Sequence, residues 1–185
     1  PSCSRWTVPI SLFSGERVPM GLGLLLDVAR NITLSSAEYA AGRTPAQRPG
    51  RQLQGRTAGI IGFGSIGSHL ATLLVAIGMD VLVYDPFVAD PRVEGVSFVG
   101  LDELLRVADA VFPLAPGSAD TENLIGAAEL AVMRRGAVLI NVSRGELLDE
   151  SAVADAIRSG QLGGLGLDVG RGDDHFFRPA AHYDA

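Results

Sequence analysis

Lysine and cysteine are scarce in this sequence, and each scarcity excludes a class of chemistry. Lysine is absent, because all 15 basic residues are arginine, so Schiff-base catalysis and a Walker-type phosphate-binding lysine are excluded. Cys3 is the single cysteine, so an intrachain disulfide cannot form and cysteine spacing offers no metal cluster. We therefore predict no metal site and expect a reducing, cytoplasmic setting.

Excess positive charge and long hydrophobic runs are lacking as well. The net charge is −6 and the isoelectric point about 5.0, which argues against nucleic acid or an anionic membrane as the main partner. The most apolar stretch, residues 22–26, is far shorter than the roughly 20 residues that cross a bilayer. No basic segment leads into an apolar signal core at the N-terminus. With 47% hydrophobic residues, the chain is predicted to be soluble and to have ample core material.

From residue 57 onward, short apolar runs alternate with amphipathic segments. The predicted strands are residues 57–61, 81–84, 96–99, 110–114, 137–142 and 165–169. The predicted helices are residues 18–41, 65–77, 101–107, 127–133 and 150–159. Short apolar strands separated by helices indicate a parallel sheet that is buried on both faces and joined by right-handed crossovers. The sequence therefore predicts an α/β protein with a doubly wound parallel sheet.

Residues 62–67 (GFGSIG) are the strongest local signal, because they follow a predicted strand and open a predicted helix. In such a turn Gly62 permits the tight bend, Gly64 lets the backbone approach a pyrophosphate, and Gly67 lets helix and strand pack closely. The helix N-terminus offers N–H groups and a positive dipole end to the phosphates. A glycine-rich turn without a ligand is the alternative.

Asp85 ends the second predicted strand, 18 residues after Gly67. This spacing is close to the roughly 20 residues expected for the carboxylate that binds the adenine ribose hydroxyls. A carboxylate there repels a 2′-phosphate, so NAD is favoured over NADP. The alternative is a turn residue before Pro86.

Six stretches of the chain, in order and at matching spacings, are similar to the D-isomer-specific 2-hydroxyacid dehydrogenase family. They are residues 52–57, 59–67, 76–79, 123–126, 135–149 and 164–169. The family includes glycerate, phosphoglycerate, glyoxylate/hydroxypyruvate, D-lactate and formate dehydrogenases, and a non-metabolic corepressor branch. The resemblance implies that NAD is the cofactor and that a small 2-hydroxy or 2-oxo acid is the substrate.

The resemblance also implies a domain organisation. Family members carry the cofactor domain inserted in a substrate domain made from both chain ends, and they usually form dimers through the cofactor domains. We predict an N-terminal segment with a linking helix over residues 1–50, the NAD-binding Rossmann domain over residues 51–169 and a divergent tail over residues 170–185. Most of the substrate domain is expected to be absent from this chain, and a homodimer is expected.

Arg144, in the segment Asn141-Val142-Ser143-Arg144-Gly145, matches the substrate arginine of the family. A guanidinium can grip the carboxylate of a 2-oxo acid through two hydrogen bonds, polarise the adjacent carbonyl and keep its charge at any physiological pH. Its position just past the end of a strand is where ligands bind in open α/β sheets. A surface arginine in a salt bridge is the alternative.

The family motifs imply the other cofactor contacts. Residues 65–66 match the pair that contacts the pyrophosphate, and residues 142–143 match backbone on the nicotinamide side. Asp168 matches the aspartate near the carboxamide, and Pro113 the segment beside the ribose, although the family commonly has a small polar residue in place of Phe112. The predicted cofactor-binding residues are Gly62, Gly64, Ser65, Ile66, Gly67, Asp85, Pro113, Val142, Ser143, Arg144 and Asp168.

The chain departs from the family in its acid–base machinery, which is a histidine assisted by a glutamate. Asp173 stands where the glutamate is expected and is a shorter candidate for that role. His175 and His182 have the wrong spacing for the histidine, and His69 is expected on a helix surface. The chain is therefore expected to bind NADH but to turn over 2-oxo acids very poorly by itself.

The leading hypothesis is an oxidoreductase chain that supplies cofactor binding and the substrate arginine for hydride transfer to or from a small D-2-hydroxy acid. Two alternatives stay open: a non-catalytic, NAD-responsive binding module similar to the corepressor branch, and a truncated, inactive product. A methyltransferase also has a glycine turn and an acidic strand end, but it would not explain residues 141–145 or 167–169.

Overall fold

The fold is a six-stranded parallel sheet with helices on both faces. The computed structural model describes residues 13–88 and 93–171, with the backbone alone for residues 13–16. The strands are β1 Thr57–Ile61, β2 Asp80–Tyr84, β3 Val96–Phe98, β4 Ala110–Pro113, β5 Ala137–Asn141 and β6 Leu162–Leu167. The helices are α1 Phe13–Arg30, α2 Ile32–Ala40, α3 Ser65–Ala76, α4 Leu101–Val107, α5 Ala127–Val132 and α6 Glu150–Arg158.

The strands lie in the order β3-β2-β1-β4-β5-β6, and every neighbouring pair is parallel. The chain winds from β1 outward to β3, returns past β1 to β4 and then winds outward in the other direction to β6. The order reverses between β1 and β4, as it does in a doubly wound dinucleotide-binding sheet. The predicted fold is confirmed.

Two apolar layers cover the sheet because successive strand residues point to opposite faces. Ile60 and Ile140 belong to the layer that contains side chains of α1 and α3, and both are fully buried. Ile61 and Leu139 belong to the opposite layer, which contains side chains of α4, α5 and α6. Each fully buried side chain of this size contributes about 1.5–3 kcal/mol to folding.

The prediction of a single helix over residues 18–41 is wrong, since the structure has two helices there. Asn31 interrupts them in a left-handed conformation with φ of 55°. The Asp27 carboxylate accepts hydrogen bonds from the Thr33 N–H (2.6 Å) and the Thr33 hydroxyl (2.9 Å), which hold the start of α2. Asparagine tolerates this backbone conformation better than most residues, and the apolar periodicity continues across it, so the break was missed.

Helix α1 packs against α3 and the sheet, whereas α2 buries no side chain. Leu25 of α1 is 1% exposed and belongs to the core of the sheet. The Glu38 carboxylate of α2 accepts hydrogen bonds from both terminal nitrogens of Arg48 (2.8 and 2.7 Å). These hydrogen bonds lower the pKa of Glu38 to about 2. The domain boundaries at residues 50 and 169 remain a prediction.

The last strand begins earlier than predicted, at Leu162 instead of residue 165, and ends at Leu167. Glycine is rare in strands, so the apolar pattern did not extend the strand to Leu162, but two of its glycines are required by close packing. A Cβ on Gly164 would overlap the Val28 side chain of α1, and a Cβ on Gly166 would lie 2.6 Å from Ile140 Cδ1. The other predicted strands and helices after residue 50 match the observed ones to within one residue at each end.

Within residues 13–88 and 93–171, no helix is both long and apolar enough to cross a bilayer. No group of three or more histidine, cysteine, aspartate or glutamate side chains lies close enough together there to hold a metal ion.

Candidate functional site

The carboxyl ends of the strands bring the predicted cofactor-binding residues to one edge of the sheet. Since β1 and β4 lead to opposite halves of the sheet, a crevice opens beyond their ends, which is where ligands bind in this architecture. The residues at this edge are the glycine bend 62–67 after β1, Asp85 after β2, Pro113 at the end of β4, residues 142–144 after β5 and Asp168 after β6.

Backbone geometry requires glycine at both ends of the bend. Gly62 has φ of 100°, donates its N–H to Tyr84 O (2.8 Å), and would place a Cβ 2.9 Å from Ala115 N. Gly67 is buried, and a Cβ there would overlap the carbonyl oxygen of Gly62. The chain can therefore turn from β1 into α3 only because these two residues lack side chains.

Gly64 lies at the opposite, open side of the bend. It precedes α3 in an extended conformation, and a Cβ built on it meets no atom within 4 Å. The first hydrogen bond within α3 runs from Ser68 N to Gly64 O (3.0 Å), so the N–H groups of Ser65 and Ile66 precede it, and no side chain of the described residues caps them. An open space beside uncapped N–H groups at a helix N-terminus fits a pyrophosphate.

Asp85 contacts the bend directly. Its Oδ2 accepts a hydrogen bond from Phe63 N (2.7 Å), and its Oδ1 accepts one from Phe87 N (2.8 Å). Each carboxylate oxygen retains a second lone pair, so the partly buried group can accept ribose hydroxyls as well. These residues therefore fit the diphosphate and the adenine ribose of NAD.

Asn141 holds the segment that carries Arg144, a role that the sequence analysis missed. Its fully buried side chain accepts a hydrogen bond from Ser143 N (3.0 Å) and donates one to Arg144 O (2.7 Å). The Ser143 hydroxyl donates to Ala115 O (3.0 Å), and Asp168 N donates to Asn141 O (3.0 Å). The available signal was a polar residue ending a strand whose other residues are all apolar.

Arg144 is exposed beside an open depression of about 500 Å³. Its Nη1 donates to Ser143 O (2.9 Å), and Arg17 Nη1 of α1 donates to the same oxygen (3.2 Å). Two guanidinium groups therefore converge on Ser143 O. The sequence offered no signal for Arg17, because this residue belongs to no motif and is more than 120 residues away from Ser143 in the chain. The depression is lined by Gly117, Ser118, Ala119, Glu122, Arg144 and Glu146.

Arg171 ties the chain after β6 to the Arg144 segment, which the sequence analysis also missed. Its Nη2 donates to Asn123 Oδ1 (2.5 Å), Glu146 O (3.0 Å) and Leu148 O (3.1 Å). Its backbone N–H donates to Glu150 Oε1 (3.1 Å). Arg171 thus links the chain after β6 to residue 123 and to residues 146–150.

The remaining candidates for acid–base and ribose contacts lie in different places. Asp173, His175 and His182 lie outside the described residues. His69 is exposed on α3, where its Nδ1 forms a hydrogen bond with Ser65 O (2.6 Å). The Phe112 side chain is fully buried in the core, so the strand end beside the crevice is formed by backbone and by Pro113.

Residues 22–178 match the model of the NAD-binding domain of D-isomer-specific 2-hydroxyacid dehydrogenases. D-3-phosphoglycerate dehydrogenase of Archaeoglobus fulgidus is 36% identical over 151 residues, which are 80% of this chain and 29% of that protein. Hydroxypyruvate reductase of Thermotoga maritima is 34% identical over 81% of this chain and 49% of that protein. The chain therefore spans half or less of the length of these relatives.

Solved structures agree with the sequence matches. A glyoxylate reductase from Paecilomyes thermophila superimposes with a TM-score of 0.84 at 31% identity, over 90% of this chain and 51% of that chain. D-lactate dehydrogenase from Aquifex aeolicus, solved with NAD and lactic acid, superimposes with a TM-score of 0.80 at 28% identity, over 85% and 48%. The chain belongs to the D-isomer-specific 2-hydroxyacid dehydrogenase family, of which it carries the NAD-binding domain, and its cofactor is NAD.

Proposed function

We propose that this chain is the cofactor-binding part of an oxidoreductase that interconverts small D-2-hydroxy acids and 2-oxo acids. The observation that carries the proposal is the convergence of three groups at one sheet edge: the uncapped start of α3, the Asp85 carboxylate and the Arg144 guanidinium. Relatives that are named as dehydrogenases and reductases of such acids support it.

The chain's own residues bind and orient the reactants. Bound NAD supplies the hydride acceptor, and NADH the donor. The bend holds the diphosphate through N–H groups, and Asp85 holds the adenine ribose. Arg144 binds the substrate carboxylate and polarises the adjacent substrate carbonyl. Asn141 keeps Arg144 in place by donating a hydrogen bond to the backbone carbonyl oxygen of Arg144. Asp173 is proposed to assist an acid–base histidine.

Replacing Asp85 by asparagine is expected to weaken NADH binding about tenfold and to raise the ratio of NADPH to NADH affinity. Asparagine keeps an oxygen that can accept the Phe63 N–H, so the bend remains supported. It removes the negative charge that strengthens hydrogen bonds to ribose hydroxyls and that repels a 2′-phosphate. Fluorescence titration with both cofactors measures the effect.

Asp102→Asn is the matched control for this charge change, since Asp102 lies on α4 and pairs with Arg106 on the surface. We expect it to leave both affinities unchanged. Unaltered cofactor preference in Asp85→Asn would contradict the proposed ribose contact, and a wild-type chain without NADH affinity would contradict the proposed function as a whole.

Replacing Arg144 by alanine is expected to leave NADH affinity almost unchanged but to weaken binding of oxamate, an unreactive 2-oxo acid analogue, to the NADH complex. The loss should be tenfold or more, since each hydrogen bond between charged groups contributes about 1.5–3 kcal/mol. Lysine at this position should restore only part of the affinity, because it keeps the charge but lacks the planar fork. Calorimetry of the NADH complex provides the measurement.

Two results would contradict this assignment. Equal oxamate affinity in wild type and Arg144→Ala would remove Arg144 from the substrate site. NADH binding by the complete protein, without turnover of any 2-oxo acid, would instead favour the NAD-responsive binding module.

The same proposal includes a homodimer in a reducing, cytoplasmic setting. The exposed apolar side chains of α2 support the dimer, with Ile32 51%, Leu34 48% and Tyr39 70% exposed. A helix that buries none of its side chains while presenting apolar ones is typical of a protein–protein contact. Light scattering that gives the mass of a single chain would contradict it.

A further inference from the structure

A second cavity lies at the edge of the sheet opposite to the nucleotide site. It opens at the amino ends of β1, β4 and β5 and has a volume of about 230 Å³. The five residues of β1, at about 3.3 Å each, separate it from the glycine bend by roughly 15 Å. NAD held at the bend would therefore leave this cavity free.

The lining of the cavity is strongly cationic in a chain whose net charge is −6. Four arginines line it, and Asp109 is the one acidic side chain among its described lining residues. The local excess is therefore three positive charges. The arginines are Arg51, Arg56, Arg134 and Arg135.

Hydrogen bonds hold these guanidinium groups in place. Asp109 accepts hydrogen bonds from Thr57 N (3.0 Å) and Arg56 Nη1 (3.2 Å), and Arg134 Nη1 lies 3.0 Å from its Oδ1. Arg51 Nη1 donates to Gly136 O (2.5 Å), and Arg135 Nη2 donates to Ser159 O (3.0 Å).

Each guanidinium uses one terminal nitrogen in these contacts, although it carries five N–H donors. The contacts within the described residues therefore orient the cations and engage a minority of their donors, so that the others can meet a ligand.

The volume of the cavity limits the size of what can bind. Apolar side chains of α1 and β5, among them Leu25, Ala29 and Val138, line it beside the arginines. The small volume fits a compact molecule better than an extended polymer. Guanidinium groups recognise phosphate and carboxylate oxygens through paired hydrogen bonds.

We propose that this cavity binds a small multivalent anion, a polyphosphate or a polycarboxylate, independently of the nucleotide site. Phosphate and carboxylate ligands share the recognition chemistry, so pyrophosphate and citrate are the two probes. Binding to the folded state alone would raise the melting temperature by mass action.

The experiment is calorimetric titration of the full chain with pyrophosphate and with citrate at constant ionic strength, with and without saturating NADH. We expect saturable millimolar or tighter binding of at least one probe that NADH does not displace. The probe that binds more tightly identifies the ligand class. Arg51→Gln and Arg135→Gln, which leave the Asp109 ion pairs intact, should each weaken binding about tenfold.

Arg106→Gln is the matched control, because it removes the same charge from α4, outside the cavity. It should bind both probes as wild type does, and thermal unfolding should show that all three variants are folded. Absence of saturable binding for both probes would overturn the proposal. So would displacement by NADH, an equal loss in Arg106→Gln, or preferential binding of an oligonucleotide at the same arginines.

Discussion

Replacing Gly64 by alanine is expected to weaken NADH binding about a hundredfold while changing the free energy of unfolding by less than about 1 kcal/mol. The new Cβ meets no atom of the described residues within 4 Å, and the backbone conformation at this position is open to alanine. The methyl group would occupy the space beside the first N–H groups of α3. Loss of two hydrogen bonds to a charged diphosphate accounts for the size of the effect.

Gly67→Ala is the matched comparison within the same bend. Here the Cβ would overlap Gly62 O, so the bend must shift, at a cost of about 1–3 kcal/mol and a melting temperature lower by roughly 2–10 °C. NADH titration and thermal unfolding of both variants separate the two roles. If Gly64→Ala retained wild-type NADH affinity, the diphosphate would not lie where we propose.

Replacing Asn141 by alanine is expected to lower the free energy of unfolding by about 3 kcal/mol. The Asn141 side chain is fully buried, and its loss leaves Ser143 N and Arg144 O without their partner. Each unsatisfied buried group costs about 1–3 kcal/mol. Since Arg144 is positioned through this contact, oxamate affinity of the NADH complex should fall as well.

Ser143→Ala and Asn141→Asp are compared with Asn141→Ala by their effects on the free energy of unfolding. Ser143→Ala removes the one hydrogen bond to Ala115 O and should cost about 1 kcal/mol. Asn141→Asp should be at least as harmful as alanine, because an ionised carboxylate would be buried against Arg144 O. Urea denaturation gives all three values. An Asn141→Ala variant within about 0.5 kcal/mol of wild type would show that the segment is held by other contacts.

The parallel sheet could be predicted because its strands are apolar on both faces and its glycine bend has a fixed spacing. The helix break at Asn31 could not, because a left-handed residue inside an apolar periodicity leaves the pattern intact. The early start of β6 was missed because glycines interrupt its apolar pattern, although the strand continues through them. Glycine is required there because α1 approaches the strand closely.

The candidate site divides in the same way. Gly62, Gly67 and Asp85 could be found from local spacing, since the bend and the strand that follows it are close in sequence. The contacts of Arg17 and Arg171 could not, because neither arginine belongs to a motif that has a fixed spacing to its partners.

The sequence by itself determined the chain's family, its cofactor class and, after residue 50, the succession of strands and helices along the chain, because motif spacing and periodicity are local properties of a chain. Only the tertiary structure decided which side chains hold Arg144, that two guanidinium groups converge on Ser143 O, and that four arginines surround one cavity at the far edge. These depend on strand order and helix packing, which bring together residues that no spacing rule connects.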